Sequence, residues 1–506
     1  MNFLRGAAIL TFAGIGVKVL GGVNRILLSR LLGGEGIGIY QMAYPVYLLF
    51  AALAGAGFPI AVSILVSEKL AKGDGNAVQD LWPALIKMLA ALGLVMSVLV
   101  YFLAEHLITT GLISDARAYW GIMALLPAIF FSLVLGGMRG YFQGHQLMHP
   151  TAVSQILEQF FRVVSMLVMA YFLLPYGLTY AAAGAAGGAS IGALFGILAL
   201  LPFRSKVLKK LGTGTKSTFD FSLIARFFRL AIPVSLAGLV IPLTALLDMF
   251  FVPRCLMLGG LGQVESTIHF GYLAGMAQPL ILLSIIPVSS IVFSMVPALT
   301  GLGGSDRIKQ SEILYSAWKW VLLITVPAGL GMSVLGGPLA IFLYAAPGAG
   351  DAMIHSGISI ILLGLLLLSG GALMGLAKTN VPVLNLLIGA GVKVGCLWFF
   401  AREIIGCAWA TNAHYALTAL LNIVVLTICG YRFPYMLFGK IILAGMVMGG
   451  LVYGCFDVLQ PLMGNNFATL LAVVAGAIIY CGTIFTLKVV TWHELCYNKR
   501  KGDEKK

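Results

Sequence analysis

Residues 6–32 read GAAILTFAGIGVKVLGGVNRILLSRLL, a mostly apolar run whose only charged residues are Lys18, Arg25 and Arg30. About 20 such residues are enough to carry a helix across the ~30 Å hydrocarbon core of a bilayer. The run is too long, and too charged inside, for a cleaved signal peptide. It lacks the period-two alternation of a barrel strand. It therefore predicts a retained first transmembrane helix with basic residues inside the span.

The same kind of run recurs along the chain. Apolar segments fall near 6–32, 38–66, 82–107, 118–141, 150–175, 179–202, 224–256, 267–297, 313–336, 353–376, 380–400, 408–430, 435–457 and 466–488. Hydrophobic residues make up 60% of the 506 and charged ones 10%, with a mean hydropathy of +0.99. A soluble domain is about 45–50% apolar and about 25% charged, so a bilayer must be the solvent. The expected fold class is an all-α integral membrane protein with about fourteen transmembrane helices, since only helices or closed barrels satisfy every backbone group in lipid.

The net charge of +14 does not point to nucleic acid. The basic residues cluster in short loops and in the tail from Lys499 to Lys506, on the side that becomes cytoplasmic if the N-terminus is inside. That distribution predicts N- and C-termini in the cytoplasm and contact with anionic membrane lipids. Seven cysteines without a CxxC pair read as small core residues, neither metal ligands nor a disulfide frame.

The sequence also repeats. FLRGAAILTFAG from Phe3 matches FFRLAIPVSLAG from Phe227 without a gap, and the register sets Asn24 opposite Asp248 and Arg30 opposite Arg254. FPIAVS around Pro59 is echoed by IPVSS around Pro287, and Arg162 falls opposite Lys393. Two six-helix lobes in parallel orientation account for this. The expected organisation is 1–203 for the first lobe, 204–223 for a basic cytoplasmic linker, 224–430 for the second lobe, 431–489 for helices 13 and 14, and 490–506 for a basic tail. Pro45, Pro59, Pro233, Pro242 and Pro287 lie inside spans and should kink them.

Ionisable groups inside the spans carry the functional reading. A Lys or Arg at mid-membrane costs about 2.5–3.5 kcal/mol on insertion scales, so each needs a partner, water or a ligand. Lys18, Arg25, Arg162 and Lys393 are the deep basic residues, and Glu158 and Asp248 the deep acidic ones. Lys18 and Arg25, seven apart, share a helix face. Either they snorkel to the interfaces or they form the cationic wall of a water-filled cavity. Glu158 and Arg162, four apart, either neutralise one another or open to accept a phosphate. Asp248 pairs either with Lys393 or with Arg254, and Asn385 offers a helix–helix hydrogen bond or a polar wall beside Lys393. His145 and His149 have no third ligand nearby in sequence, and neither a P-loop nor a GxSxG is present, so no metal, cofactor or catalytic constellation is expected.

The opening FLRGAAILTFAGIGVKVLGGVNRILLSRLLGGEGIGIYQMAYPVYLLF and the stretch LGGMRGYFQGHQLMHPTAVSQILEQFFRVV from Leu135 resemble a known family. They are similar to the stage V sporulation protein B branch of the polysaccharide biosynthesis flippases, within the multidrug/oligosaccharidyl-lipid/polysaccharide exporter superfamily. The resemblance spans nearly the whole chain, the two C-terminal helices included. It implies a transporter, not an enzyme, that moves a polyprenyl-pyrophosphate-linked sugar, such as lipid II or a related cell-wall or spore-cortex precursor, to the outer leaflet. It implies that Lys18, Arg25, Arg162 and Lys393 receive the headgroup, with the cell-wall synthesis machinery as partner. Lys18 matches a first-helix basic residue of lipid II flippases, whereas a first-helix arginine of those proteins aligns to Asn24, beside Arg25. Related flippases hold sodium in the second lobe, where this chain has Lys393. The alternatives are a multidrug antiporter of the same superfamily and a non-transporting scaffold. The antiporter would favour acidic groups in the cavity, and the scaffold would show no transport.

Overall fold

The computed structural model describes residues 2–73, 75–211, 221–303 and 306–490. Most of the basic tail and residues 212–220 of the linker lie outside these. Every regular element among the described residues is a helix.

The first element, α1, runs Asn2–Ala52 but is two helices. Gly33 (φ 65°, ψ −174°) breaks it in a left-handed conformation that only glycine adopts cheaply. The chain turns back there. The second leg continues through a π-helical segment, Leu53–Gly57, into α2 (Phe58–Ala71), where Pro59 falls in the first turn. Then follow α3 (Gly75–Thr109), α4 (Ala118–Gly144), α5 (Met148–Leu173) and α6 (Leu178–Leu211). The seventh pass is α7 (Phe221–Gly238) with α8 (Val240–Leu258). The eighth is α9 (Gln263–Phe270), a π-helical segment Gly271–Ala277, α10 (Gln278–Ser284) and α11 (Ile286–Gly301), bent by 45° at Ile285. The second pass of each repeat thus contains a π-helical segment and a proline, both of which loosen a helix locally.

The rest is α12 (Arg307–Tyr344), α13 (Gly350–Gly375), α14 (Asn380–Phe400), α15 (Ile404–Ile428) and α16 (Tyr435–Thr486). Like α1, α16 is broken by a left-handed glycine, Gly464 (φ 75°). Among the described residues ten helices are long and apolar enough to span a bilayer, and the bent pair makes an eleventh. The second legs of α1 and α16 and the α7–α8 pass complete the all-α, multi-pass membrane protein of about fourteen helices.

The chain divides into two compact units, Met1–Gly275 and Met276–Lys506. In the first, α4 is the enclosed helix, and in the second α13 is. α3 instead turns Leu94, Val95, Val98, Leu99 and Phe102 outward, the surface that lipid covers in place of protein.

Candidate functional site

In the first unit, α6 presents Gly184, Gly188, Gly192 and Gly196, one every fourth residue, to α5. Small residues at this spacing let helix backbones approach closely in lipid. A Cβ on Gly192 would stand 2.7 Å from both the Arg162 Cβ and the Glu158 carbonyl oxygen. The glycine ridge therefore fixes the turn of α5 that carries Glu158 and Arg162.

That turn holds a network of charged hydrogen bonds. Arg162 Nη2 donates to Glu158 Oε1 at 2.9 Å and to the Tyr47 hydroxyl at 2.8 Å. Arg139, on α4, donates from Nη2 to Glu158 Oε2 at 2.7 Å and from Nε and Nη2 to Ser154 Oγ. Ser154 in turn donates to the Gly196 carbonyl at 3.0 Å, tying the network to α6. One carboxylate is thus shared by two guanidinium groups, each side chain about one-sixth exposed. The Arg162 Nε is buried with no hydrogen-bond partner.

A third guanidinium stands nearby on α1. Because the chain reverses at Gly33, Arg25 on the first leg meets the second leg eight residues beyond the break. Its Nη1 donates to Gln41 Oε1 at 3.0 Å, and Gln41 Nε2 donates to the Ala274 carbonyl at 2.6 Å. Its guanidinium carbon lies 5.1 Å from the Tyr40 ring centre and 5.0 Å from that of Tyr44. Arg162 lies 5.7 Å from the Tyr47 ring centre. The tyrosines recur at spacings of four and three, one stripe of the second leg, and offer the electron-rich faces that hold cations.

The other candidates make different contacts. Lys18 is on the same leg as Arg25, two turns away and exposed. Asn24 is buried and donates to Met166 Sδ at 3.4 Å. Asp248 is half-buried on α8 of the first unit, whereas Lys393, only 2% exposed, belongs to α14 of the second. Within the second unit Asn385 Nδ2 donates to Asn422 Oδ1 at 2.8 Å, and Thr418 Oγ1 to the His414 carbonyl at 2.8 Å. Outside the spans, His145 Nδ1 is 2.9 Å from the Tyr141 carbonyl.

The sequence profile described as "Polysaccharide biosynthesis protein" matches residues 3–302. The chain belongs to this family. The stage V sporulation protein B of Bacillus subtilis (strain 168) is 28% identical over 437 residues, 83% of each chain. The "Lipid II flippase MurJ" of the same organism is 28% identical over 420 residues, 78% of this chain and 76% of that one. Among solved structures, a lipid II flippase MurJ in an inward closed conformation superposes with a TM-score of 0.72 at 18% identity, covering 96% of this chain and 100% of that one. An inward-facing multidrug transporter of the exporter superfamily gives 0.64 at 15% identity, covering 82% and 94%. The fold is that of membrane transporters.

For this family member, sequence reading missed Arg139, Gln41 and the three tyrosines. The tyrosine spacing was visible as one helix face, but what it faces depends on the reversal at Gly33. Arg139 sits within the quoted GGMRGYF stretch, and no local spacing relates it to Glu158, nineteen residues on. A further cluster, also missed, joins α1, the loop between α3 and α4, and α9. Arg117 Nη1 lies 2.5 Å from Glu35 and its Nη2 2.8 Å from Asp115, while Thr267 Oγ1 donates to Asp115 at 2.9 Å.

Proposed function

We propose that the protein is a flippase that carries a polyprenyl-pyrophosphate-linked sugar from the inner to the outer leaflet of the bacterial cytoplasmic membrane by alternating access. The cargo is lipid II or a related cell-wall or spore-cortex precursor, and both termini are cytoplasmic. The observation that carries this reading is the balance of charge within one side-chain cluster. Arg25, Arg139 and Arg162 are set on membrane-spanning helices with one carboxylate, Glu158, which is hydrogen-bonded to Arg139 and Arg162, while Arg25 donates to the neutral Gln41. Three guanidinium groups against one carboxylate leave a surplus of two positive charges.

Such a surplus is costly in a low-dielectric bundle unless an anion arrives to balance it. A diphosphate supplies about two negative charges and the oxygens that guanidinium groups bind bidentately. A cationic drug would be repelled by the same cluster, which disfavours the antiporter. An inside-negative potential favours outward movement of negative charge by about 2.3 kcal/mol per charge per 100 mV, the direction proposed. Family membership and the similarity to a lipid II flippase support the cargo class.

The test is flipping of a fluorescent lipid-linked sugar in proteoliposomes containing the purified protein. Wild type should expose the label to a membrane-impermeant quencher or enzyme, and Arg25→Ala with Arg162→Ala should not. Equal rates in empty and wild-type vesicles would refute transport and leave the scaffold.

A further inference from the structure

The carboxylate of Glu158 does more than offset charge. Its two oxygens are divided between two arginines on different helices, Oε2 to Arg139 on α4 and Oε1 to Arg162 on α5. A bridging anion with one oxygen for each guanidinium is the arrangement that phosphate oxygens adopt between two arginines. Arg162 is left incompletely satisfied, since its Nε is buried without a partner. An unmet donor of this kind carries a penalty until something accepts from it. Resting on the reading of the cluster as a pyrophosphate site, we infer that Glu158 is a tethered stand-in for the ligand, occupying the anion position between Arg139 and Arg162 while the site is empty.

The arriving diphosphate takes over the two guanidinium groups and the open Arg162 Nε, and Glu158 swings out. When the headgroup leaves, Glu158 returns and the arginines are again neutralised. The side chain is a positioning residue that weakens ground-state binding and speeds release. It keeps two arginines on adjacent helices from repelling one another in the empty protein. Ser154 keeps Arg139 in place through the exchange, because its hydroxyl is anchored to the Gly196 carbonyl and accepts from Arg139 independently of the carboxylate.

The experiment is binding of inorganic pyrophosphate to the purified full-length protein in detergent by calorimetry, paired with the flipping assay. Glu158→Gln keeps the shape and removes the charge. It should bind pyrophosphate about tenfold more tightly than wild type and flip the lipid-linked sugar more slowly. Glu158→Asp is too short to reach both arginines. It should bind with intermediate affinity, and it supplies the comparison if the glutamine variant does not fold. Arg162→Gln should lose binding. Unchanged or weaker binding in a folded Glu158 variant, with Arg162→Gln still deficient, would overturn the stand-in while leaving the pyrophosphate site intact. Absence of pyrophosphate binding in wild type and every variant would overturn both.

Discussion

Asp115 accepts a hydrogen bond from the Thr267 hydroxyl at 2.9 Å, joining the loop between α3 and α4 to a helix 152 residues further on. The carboxylate is 1% exposed and is also held by the Arg117 backbone N–H and guanidinium, which reaches across to Glu35 on α1. Burial pushes the Asp115 carboxyl up, but the hydrogen bonds from Arg117 and Thr267 outweigh it and hold the group below the ordinary value of 3.8.

A depressed carboxylate contributes stability that is fully present above its unfolded value and is lost as pH falls through the lower folded one. The carboxyl should therefore leave the melting temperature flat between about pH 5 and 8 and contribute acid lability only below about pH 4. Asp115→Asn should lower stability at pH 7 by about 1.5–3 kcal/mol, the range for hydrogen bonds to charged groups. The difference from wild type should shrink at pH 3. Thermal unfolding of both proteins in detergent at the two pH values checks this, and a difference that does not depend on pH would refute it.

Arg25 is held by the faces of Tyr40 and Tyr44 and by Gln41. These contacts fix its position without neutralising it. Lys18→Ala combined with Arg25→Ala should abolish complementation of a flippase-deficient strain while membrane abundance stays normal. Arg25→Lys should retain part of the activity, because an ammonium keeps the charge but not the planar fork. Full complementation by the double alanine variant would remove Arg25 from the site.

Gly192 sets the distance between α6 and the Glu158–Arg162 turn. A methyl there would stand 2.7 Å from two α5 atoms, one of them backbone. Gly192→Ala should cost about 1–3 kcal/mol through overpacking and depress flipping by displacing Arg162. Gly187→Ala is the control, since its Cβ would meet only ordinary contacts at 3.6 Å and beyond. Equal melting temperatures and flipping rates for the two variants would show that the ridge does not position the site.

The fold was legible because each apolar run is about the length that a bilayer demands and polar breaks separate the runs. The Glu158–Arg162 pair was legible for a local reason, four residues being one helical turn. What sequence could not show is which helix lies beside which. Arg139 meets Glu158 because α4 and α5 adjoin in the bundle, and Arg25 meets Gln41 because Gly33 takes a left-handed conformation. Both contacts depend on tertiary geometry that no periodicity encodes. Lys18 shares a helix face with Arg25 by its spacing of seven, a local relation that sequence gives, whereas the stacking of Arg25 on Tyr40 and Tyr44 needs the fold.

Asn385 and Asn422 offer a test of coupling against mere packing in the second unit. Both are buried, Asn385 Nδ2 donates to Asn422 Oδ1 at 2.8 Å, and the Asn422 Nδ2 is buried without a partner. The bond joins α14, which also carries Lys393, to α15. Interhelical hydrogen bonds within membranes average about 0.6 kcal/mol, with a maximum near 1.7. A double-mutant cycle with Asn385→Leu and Asn422→Leu should give a coupling energy of about 0.5–1.5 kcal/mol in detergent unfolding. Each single variant should be less stable than the double, because it strands a buried amide that the double removes. If the pair only fastens two helices, the double variant should flip the lipid-linked sugar at close to the wild-type rate. A double variant that is stable but inactive would instead assign Asn385 and Asn422 to the transport cycle, since packing would then be intact and only their polarity lost.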